Sequence, residues 1–493
     1  MSTSPNSVFK GVLLTVSMRW VSRLIGLVST LILARLLVPE DFGITAMAAV
    51  VLGLMATLLD LGVNIALVRN AQATPEHYHS AWTLRLMQAL VIAVALLAAA
   101  PIAGEYFRDE RVTPVLMLMA LNVVIGSLEN IGIITFQKES RFGREFQFVL
   151  INRLFSFACT VSLALALRSY WALVLGSTLG ALFSVAHSYV AHPMRPRICT
   201  AKLRELFAVS QWMLVQNIGG YFDLNLHKLL VGRRDDTATM GAYSIASELA
   251  SMPSSELLQP LNRVLFPAFV AIKHDLAQLK RTFLLAQSLQ VMIAMPAAVF
   301  LALLAAELVP VLLGQQWGKA VPLLEILALG YALSAFQASA WYVSITLGQE
   351  RRCAAVSWSQ IALFVLLAWA VLPGVQAEQI AKLRVVVSAA GLGFQLWIAA
   401  RALGNVSPYD MLRGIWRTAT ALGVTVALVF SIPLPALSAF VILPLKASFC
   451  AVSYAGAVWL LWRLCSRPKG AESYIADRVT EVVRRLGRKG RAA

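Results

Sequence analysis

The sequence predicts an all-α integral membrane protein of about 14 transmembrane helices, and three observations predict it. The 493 residues are 59% hydrophobic and only 14% charged, whereas a soluble domain carries roughly 25% charged residues. Apolar runs of about 20 residues, long enough to cross a bilayer, recur from end to end with short polar breaks. The basic residues sort into alternate loops, as membrane topology requires.

In chain order, the candidate spans lie at 11–36, 42–67, 80–104, 112–135, 147–167 and 170–191. A basic loop with Arg195, Arg197, Lys202 and Arg204 follows. The next six lie at 206–232, 241–271, 283–305, 322–347, 354–372 and 380–400, and the last two at 415–432 and 438–463. The first run continues well beyond the apolar core of a signal peptide and has no small-residue cleavage pattern close behind it, so it is read as a retained span. With both termini placed in the cytoplasm, the cytoplasmic segments hold most of the 42 Lys and Arg residues. An even number of spans with both ends inside fits that bias. The net charge of +17 is thereby explained by membrane sidedness, without nucleic acid.

Two linkers echo one another. Residues 34–43 (ARLLVPEDFG) join spans 1 and 2, and residues 230–241 (LVGRRDDTATMG) join spans 7 and 8. Each is basic, then doubly acidic, then ends in glycine, at an offset of about 198 residues. This fits a duplicated six-span bundle. The domains expected are 1–200 (spans 1–6), 201–404 (spans 7–12), 405–465 (spans 13 and 14) and a basic tail, 466–493. In the tail, Ile475, Val479, Val482, Val483 and Leu486 at helical spacing, among Arg478, Arg484, Arg485, Arg488 and Lys489, read as an amphipathic helix on anionic membrane lipid. A solvated polar tail is the alternative.

Charges inside the spans are the informative positions, because each costs at least about 2.5 kcal/mol at the bilayer centre without a partner or a water-filled cavity. Arg19 and Arg23, four apart in span 1, share a helix face. Their guanidinium forks suit phosphate or carboxylate and stay charged at any physiological pH. Snorkelling, or pairing with Asp60 or Glu129, is the competing reading. In span 7, Gln216, Gly220, Asp223 and His227 form a stripe with Lys228 alongside. Asp223 and His227 suit either proton exchange or a static ion pair. Span 8 carries Ser244, Glu248, Ser251, Ser255, Gln259 and Asn262 along one side, then Arg263. That ribbon could hydrogen-bond a sugar or knit helices together. Asp60, Glu129, Arg153 and Lys446 complete the set, with Glu325 at an outer edge. Asp60, Glu129 and Asp223 are the candidates for ion coupling or salt bridges.

No catalytic constellation is present. Residues 314–320 (GQQWGKA) fall short of a phosphate loop in glycine spacing and lack a Ser or Thr after Lys319. The six histidines form no ligand set with cysteine or carboxylate, and the five cysteines are scattered, with at least three in apolar runs. No cofactor, metal or enzymatic activity is expected.

Several segments carry a family likeness: residues 34–43; 59–69 (LDLGVNIALVR); 136–139 (FQKE); 262–269 (NRVLFPAF); and 312–317 (LLGQQW) ahead of Pro322. On these the sequence resembles the polysaccharide transporter family of Wzx-type oligosaccharide flippases, colanic-acid-type branch. That family lies within the multidrug/oligosaccharidyl-lipid/polysaccharide exporter superfamily. The likeness spans residues 10–350 and weakens towards the C-terminus. It implies two six-helix lobes around a central cavity, MATE-like, with spans 13 and 14 added and lobes opening alternately to each side. It implies as cargo an oligosaccharide on undecaprenyl pyrophosphate, moved across the bacterial inner membrane for exopolysaccharide, capsule or O-antigen synthesis. A polysaccharide polymerase and a chain-length regulator are candidate protein partners. The diphosphate gives Arg19 and Arg23 a partner, as arginines in the first helix of related lipid II flippases do. For Lys228, Arg263 and the carboxylates the family pattern is loose, and the helical-face argument carries them. The alternatives are a MATE-like cation or drug antiporter, which would prefer a carboxylate-lined cavity, and a membrane polysaccharide polymerase, which would need a large outer loop. No outer loop exceeds about 16 residues.

Overall fold

A computed structural model of the chain describes residues 5–59, 67, 73–139, 141–203, 211–370, 376–404, 406–431, 438–468, 470–474, 476 and 478. Helices account for all the regular structure among them. In order these are α1 (Pro5–Leu36), α2 (Pro39–Leu58), α3 (Pro75–Phe107), α4 (Val112–Ser127), α5 (Ile134–Lys138), α6 (Phe142–Leu167), α7 (Trp171–Ala191) and α8 (Gln211–Arg234). Then come α9 (Thr237–Met252), α10 (Gln259–Ala271), α11 (Leu276–Leu303), α12 (Ala305–Leu312), α13 (Ala320–Thr346), α14 (Glu350–Ala370) and α15 (Ala377–Ala402). The last are α16 (Pro408–Arg413), α17 (Trp416–Ser431) and α18 (Ala439–Leu464).

Local chemistry sets the helix starts. Pro39 and Pro75 occupy the first turns of α2 and α3, where a missing N–H costs nothing. Asp41 accepts from the Val38 backbone N–H, and Asp275 caps α11 by accepting from that of Gln278. Asn130 ends the fourth span early. Its backbone turns extended, its side chain accepts from Gly132 N–H and donates to the carbonyls of His192 and Met194, and α4 meets the continuing helix at 62°. The eighth span is likewise irregular, passing from α9 through a π-helical stretch, Pro253–Leu258, into α10.

Among the described residues, ten helices are long and apolar enough to cross a membrane, eleven with the bent pair counted as one span. The remaining candidates for a total of 14 are α8 and the α9–α10 segment, which carry the polar stripes, and α17, only 16 residues long. Large apolar side chains such as Val94, Ile102, Trp369, Phe430 and Val452 stand exposed. On a soluble monomer they would be an aggregation hazard, whereas lipid accepts them. Arginines stack on tryptophans near helix ends, Arg401 on Trp397 at 4.2 Å and Arg463 on Trp459 at 4.7 Å, as anchors at a membrane interface do. Of the cysteines, Cys353 and Cys450 are the buried thiols expected of apolar runs, while Cys465 is exposed beyond the end of α18.

The chain divides into two compact units, Met1–Ser244 and Ile245–Ala493. In the first, α1 packs on α6, α6 on α7, α3 on α4 and α2 on α8. Its tightest crossing joins the two echoing linkers. A Cβ at Gly43 would lie 1.9 Å from the Thr237 carbonyl oxygen, and one at Gly241 would lie 1.9 Å from that of Pro39. The contact is reciprocal at the same offset of about 198 residues. Only glycine permits backbones this close. In the second unit, α13 packs between α11 and α15 over a core of Phe269, Phe283, Ala340, Val343 and Ala399. There Lys446 of α18 pairs with Glu307 of α12 at 2.8 Å.

Candidate functional site

The first unit contains a cavity of about 780 Å³ walled by α2, α3, α4 and α8. Its polar lining is Thr57, Arg85, Gln88, Ser127, Asn217 and Tyr221, set among apolar residues such as Ile92, Val123 and Leu224. Among the described residues, Arg85 is the one charged side chain in that lining. Its Nη2 donates to the Gly126 carbonyl at 2.9 Å and meets Glu129 Oε2 at 3.2 Å. Glu129 sits in the break that Asn130 imposes on the fourth span, and its Oε1 accepts from Ser184 of α7 at 3.1 Å. Gln88 donates to the Leu59 carbonyl, and the Tyr221 hydroxyl donates to that of Val50. Gly53 makes room for the Tyr221 ring, since a Cβ there would meet it at 2.9 Å.

Helix α8 presents Asn217, Gly220, Tyr221 and Leu224 to this cavity. Of the stripe read from the sequence, Gln216, Gly220, Asp223 and His227, Gly220 belongs to that face, and Asp223 and His227 are not among the lining residues. At roughly 100° per residue the stripe and the face are centred about 80° apart. His227 is buried, with Nδ1 2.9 Å from the Tyr243 hydroxyl of α9. Asp223 and Lys228 are half-buried, and the side chain of Gln216 lies outside the described part.

Arg19 and Arg23 stand four apart on α1, both half-buried, and are not among the residues lining the cavity. Asp60 lies outside the described residues. In the second unit Glu248 is exposed, and Gln259 and Arg263 sit on α10 with their side chains outside the described part. Of the span 8 ribbon, Ser251 donates to the Glu248 carbonyl and Ser255 to that of Met252 within their own segment, and Asn262 reaches a neighbouring helix. Asn262 accepts from Gln290 of α11 at 2.6 Å, and beside the ribbon Ser247 meets the Tyr331 hydroxyl at 3.3 Å and Ser254 donates to the Tyr331 carbonyl. Arg153 and Glu325 are exposed.

Arg85 is the residue that sequence reasoning passed over. It lies five residues inside the start of the third candidate span, where a lone arginine reads as a side chain snorkelling to the interface. The signal that could have found it is Gln88 one helical turn on, with Glu129 across in the next span.

The family described as "Polysaccharide biosynthesis protein" matches residues 32–322. The chain is 25% identical over 311 residues to the Lipopolysaccharide biosynthesis protein WzxC of Escherichia coli (strain K12), covering 62% of each. It is 27% identical over 301 residues to the Succinoglycan biosynthesis transport protein ExoT of Rhizobium meliloti (strain 1021), covering 60% of this chain and 61% of that one. The matched part therefore spans about three fifths of the length of these relatives. In fold it is similar to the Lipid II flippase MurJ, inward closed conformation, with a TM-score of 0.73 at 11% identity, covering 92% of this chain and 100% of that chain. An inward-facing MATE family transporter of the MOP superfamily aligns with a TM-score of 0.56 at 15% identity, covering 78% of this chain and 96% of that chain. Residues 34–43, 136–139, 262–269 and 312–317, read from the sequence as a family likeness, fall inside the matched region, which makes up more than half of the chain: it belongs to the polysaccharide biosynthesis protein family.

Proposed function

We propose that this protein is a flippase that carries undecaprenyl-pyrophosphate-linked oligosaccharide units across the bacterial inner membrane for exopolysaccharide, capsule or O-antigen synthesis. It acts as a transporter and not as an enzyme. The observation that carries the reading is a polar, arginine-bearing cavity inside a helical membrane unit, in a chain of this family. An anionic headgroup needs a fixed cation and hydrogen-bond donors away from lipid, and Arg85, Gln88 and Asn217 are of that kind.

Both termini lie in the cytoplasm on this reading, and the duplicated six-span halves rock to change access. Arg19 and Arg23 hold the diphosphate together with the cavity. The stripe Gln216, Asp223, His227 and Lys228, and the ribbon Glu248, Gln259 and Arg263, contact sugars or hold helices. The lipid tail stays in the bilayer. The known relatives support transport, being named for polysaccharide biosynthesis and for transport.

Deletion of the gene tests the function directly. Lipid-linked units should accumulate on the cytoplasmic leaflet, and surface polymer should return on complementation. Accumulation of single units on the outer leaflet would make the protein a polymerase instead, and unchanged polymer with lost efflux of organic cations would make it an antiporter. The variant with Arg19→Gln and Arg23→Gln should insert normally and lose surface polysaccharide.

A further inference from the structure

We propose that Arg85 binds the anionic diphosphate of the cargo, and that Glu129 is its internal placeholder, displaced when the headgroup enters. The inference rests on the flippase reading and deepens it by naming a recognition residue. Four observations carry it.

First, Arg85 lines the cavity with its side chain 31% exposed, and its hydrogen bonds and ion pair among the described residues use Nη2 alone. Nε and Nη1 remain for an incoming anion, and a diphosphate can take a guanidinium in a two-bond fork. Second, the contact with Glu129 is a single one at 3.2 Å, so the carboxylate does not use that fork. Third, Glu129 lies in broken backbone between α4 and α5, where the span bends by 62°. Interrupted helices whose freed backbone lines a cavity are a recurrent way for transporters to build binding sites. Fourth, Glu129 has a second anchor in Ser184, so release of Arg85 does not strand it. Between cargoes the pair neutralises a guanidinium that would otherwise sit poorly solvated. When a diphosphate enters, a doubly bonded, more highly charged ligand replaces a singly bonded carboxylate.

A static tie between α3 and the break in the fourth span is the competing explanation, and the two predict opposite signs for one variant. The test measures binding of a short-chain polyprenyl diphosphate, and separately of inorganic pyrophosphate, to the purified full-length protein in nanodiscs, with thermal unfolding measured alongside. Arg85→Gln should weaken lipid diphosphate binding about tenfold or more, and Arg85→Lys, which keeps the charge without the fork, should fall between. Glu129→Gln should tighten binding several-fold, and the double variant should behave like Arg85→Gln. If Glu129→Gln weakens binding, if Arg85→Gln binds as the wild type does, or if the double variant recovers what each single one loses, the pair is a structural tie and the proposal fails. Equally tight pyrophosphate binding would overturn the lipid as the source of the anion. A wild-type protein that binds no polyprenyl diphosphate overturns the flippase reading itself.

Discussion

Replacing Gly43 with alanine adds one methyl group where a backbone oxygen already stands. The new Cβ would be 1.9 Å from the Thr237 carbonyl oxygen, against an ordinary contact of about 3.4 Å. The starts of α2 and α9 must therefore separate by about 1.5 Å, and no flexible side-chain tip is available to yield. Overpacking of this kind costs about 1–3 kcal/mol, and the rigidity of the backbone puts Gly43 at the upper end. Gly241→Ala meets the Pro39 oxygen at the same distance and should cost about as much. Since one separation of the two helix starts relieves both clashes, the double variant should cost little more than either single one. Gly26→Ala on α1 is the control: no atom lies within 4 Å of its Cβ position, so it should be neutral or slightly stabilising. Thermal unfolding of purified protein at constant detergent and lipid reads all four. A wild-type midpoint for Gly43→Ala, or a double variant whose loss is the sum of the singles, would refute the close crossing.

Three further outcomes follow from ion pairs away from the cavity. Lys446→Met should destabilise the second unit by on the order of 3 kcal/mol in thermal unfolding by stranding Glu307, and adding Glu307→Gln should restore much of that loss. Arg417 and Glu472 form a buried two-bond pair, at 2.6 and 3.0 Å, that pins the start of the tail to α17. Arg417→Lys should lose the fork and speed hydrogen exchange of residues 470–474, and unchanged exchange would show that the pair does not hold the tail. Outside the spans, hydrogen bonds from Arg111 hold the Asp109 carboxyl below its ordinary value of 3.8. A depressed carboxylate contributes stability above its unfolded pKa and loses it as pH falls through the folded one. Arg111→Gln should therefore flatten the acid limb of the stability curve below about pH 4 and leave its shape near neutrality unchanged.

Much of this protein was legible as a string. Hydropathy marked the spans, because a bilayer of fixed thickness needs about 20 apolar residues whatever they pack against. Family motifs in the first two thirds pointed to the family. The linker echo at 34–43 and 230–241 was also visible, but not that each of its two glycines presses on the backbone of the other linker, at Thr237 and Pro39. The break in the fourth span was not visible, because Asn130 breaks its helix through partners more than 60 residues away, at His192 and Met194.

The sequence by itself therefore determined the membrane class, the approximate spans, the family likeness and, Arg85 apart, the charges to be placed inside the spans. The tertiary structure alone decided which of those charges meet. Pairing depends on how each helix is rotated, and one residue shifts a side chain by about 100° around the axis. That is why Asn217 and Tyr221, rather than Asp223, line the cavity of the first unit. It is also why Arg85, one arginine in an unremarkable span, lies across from Glu129.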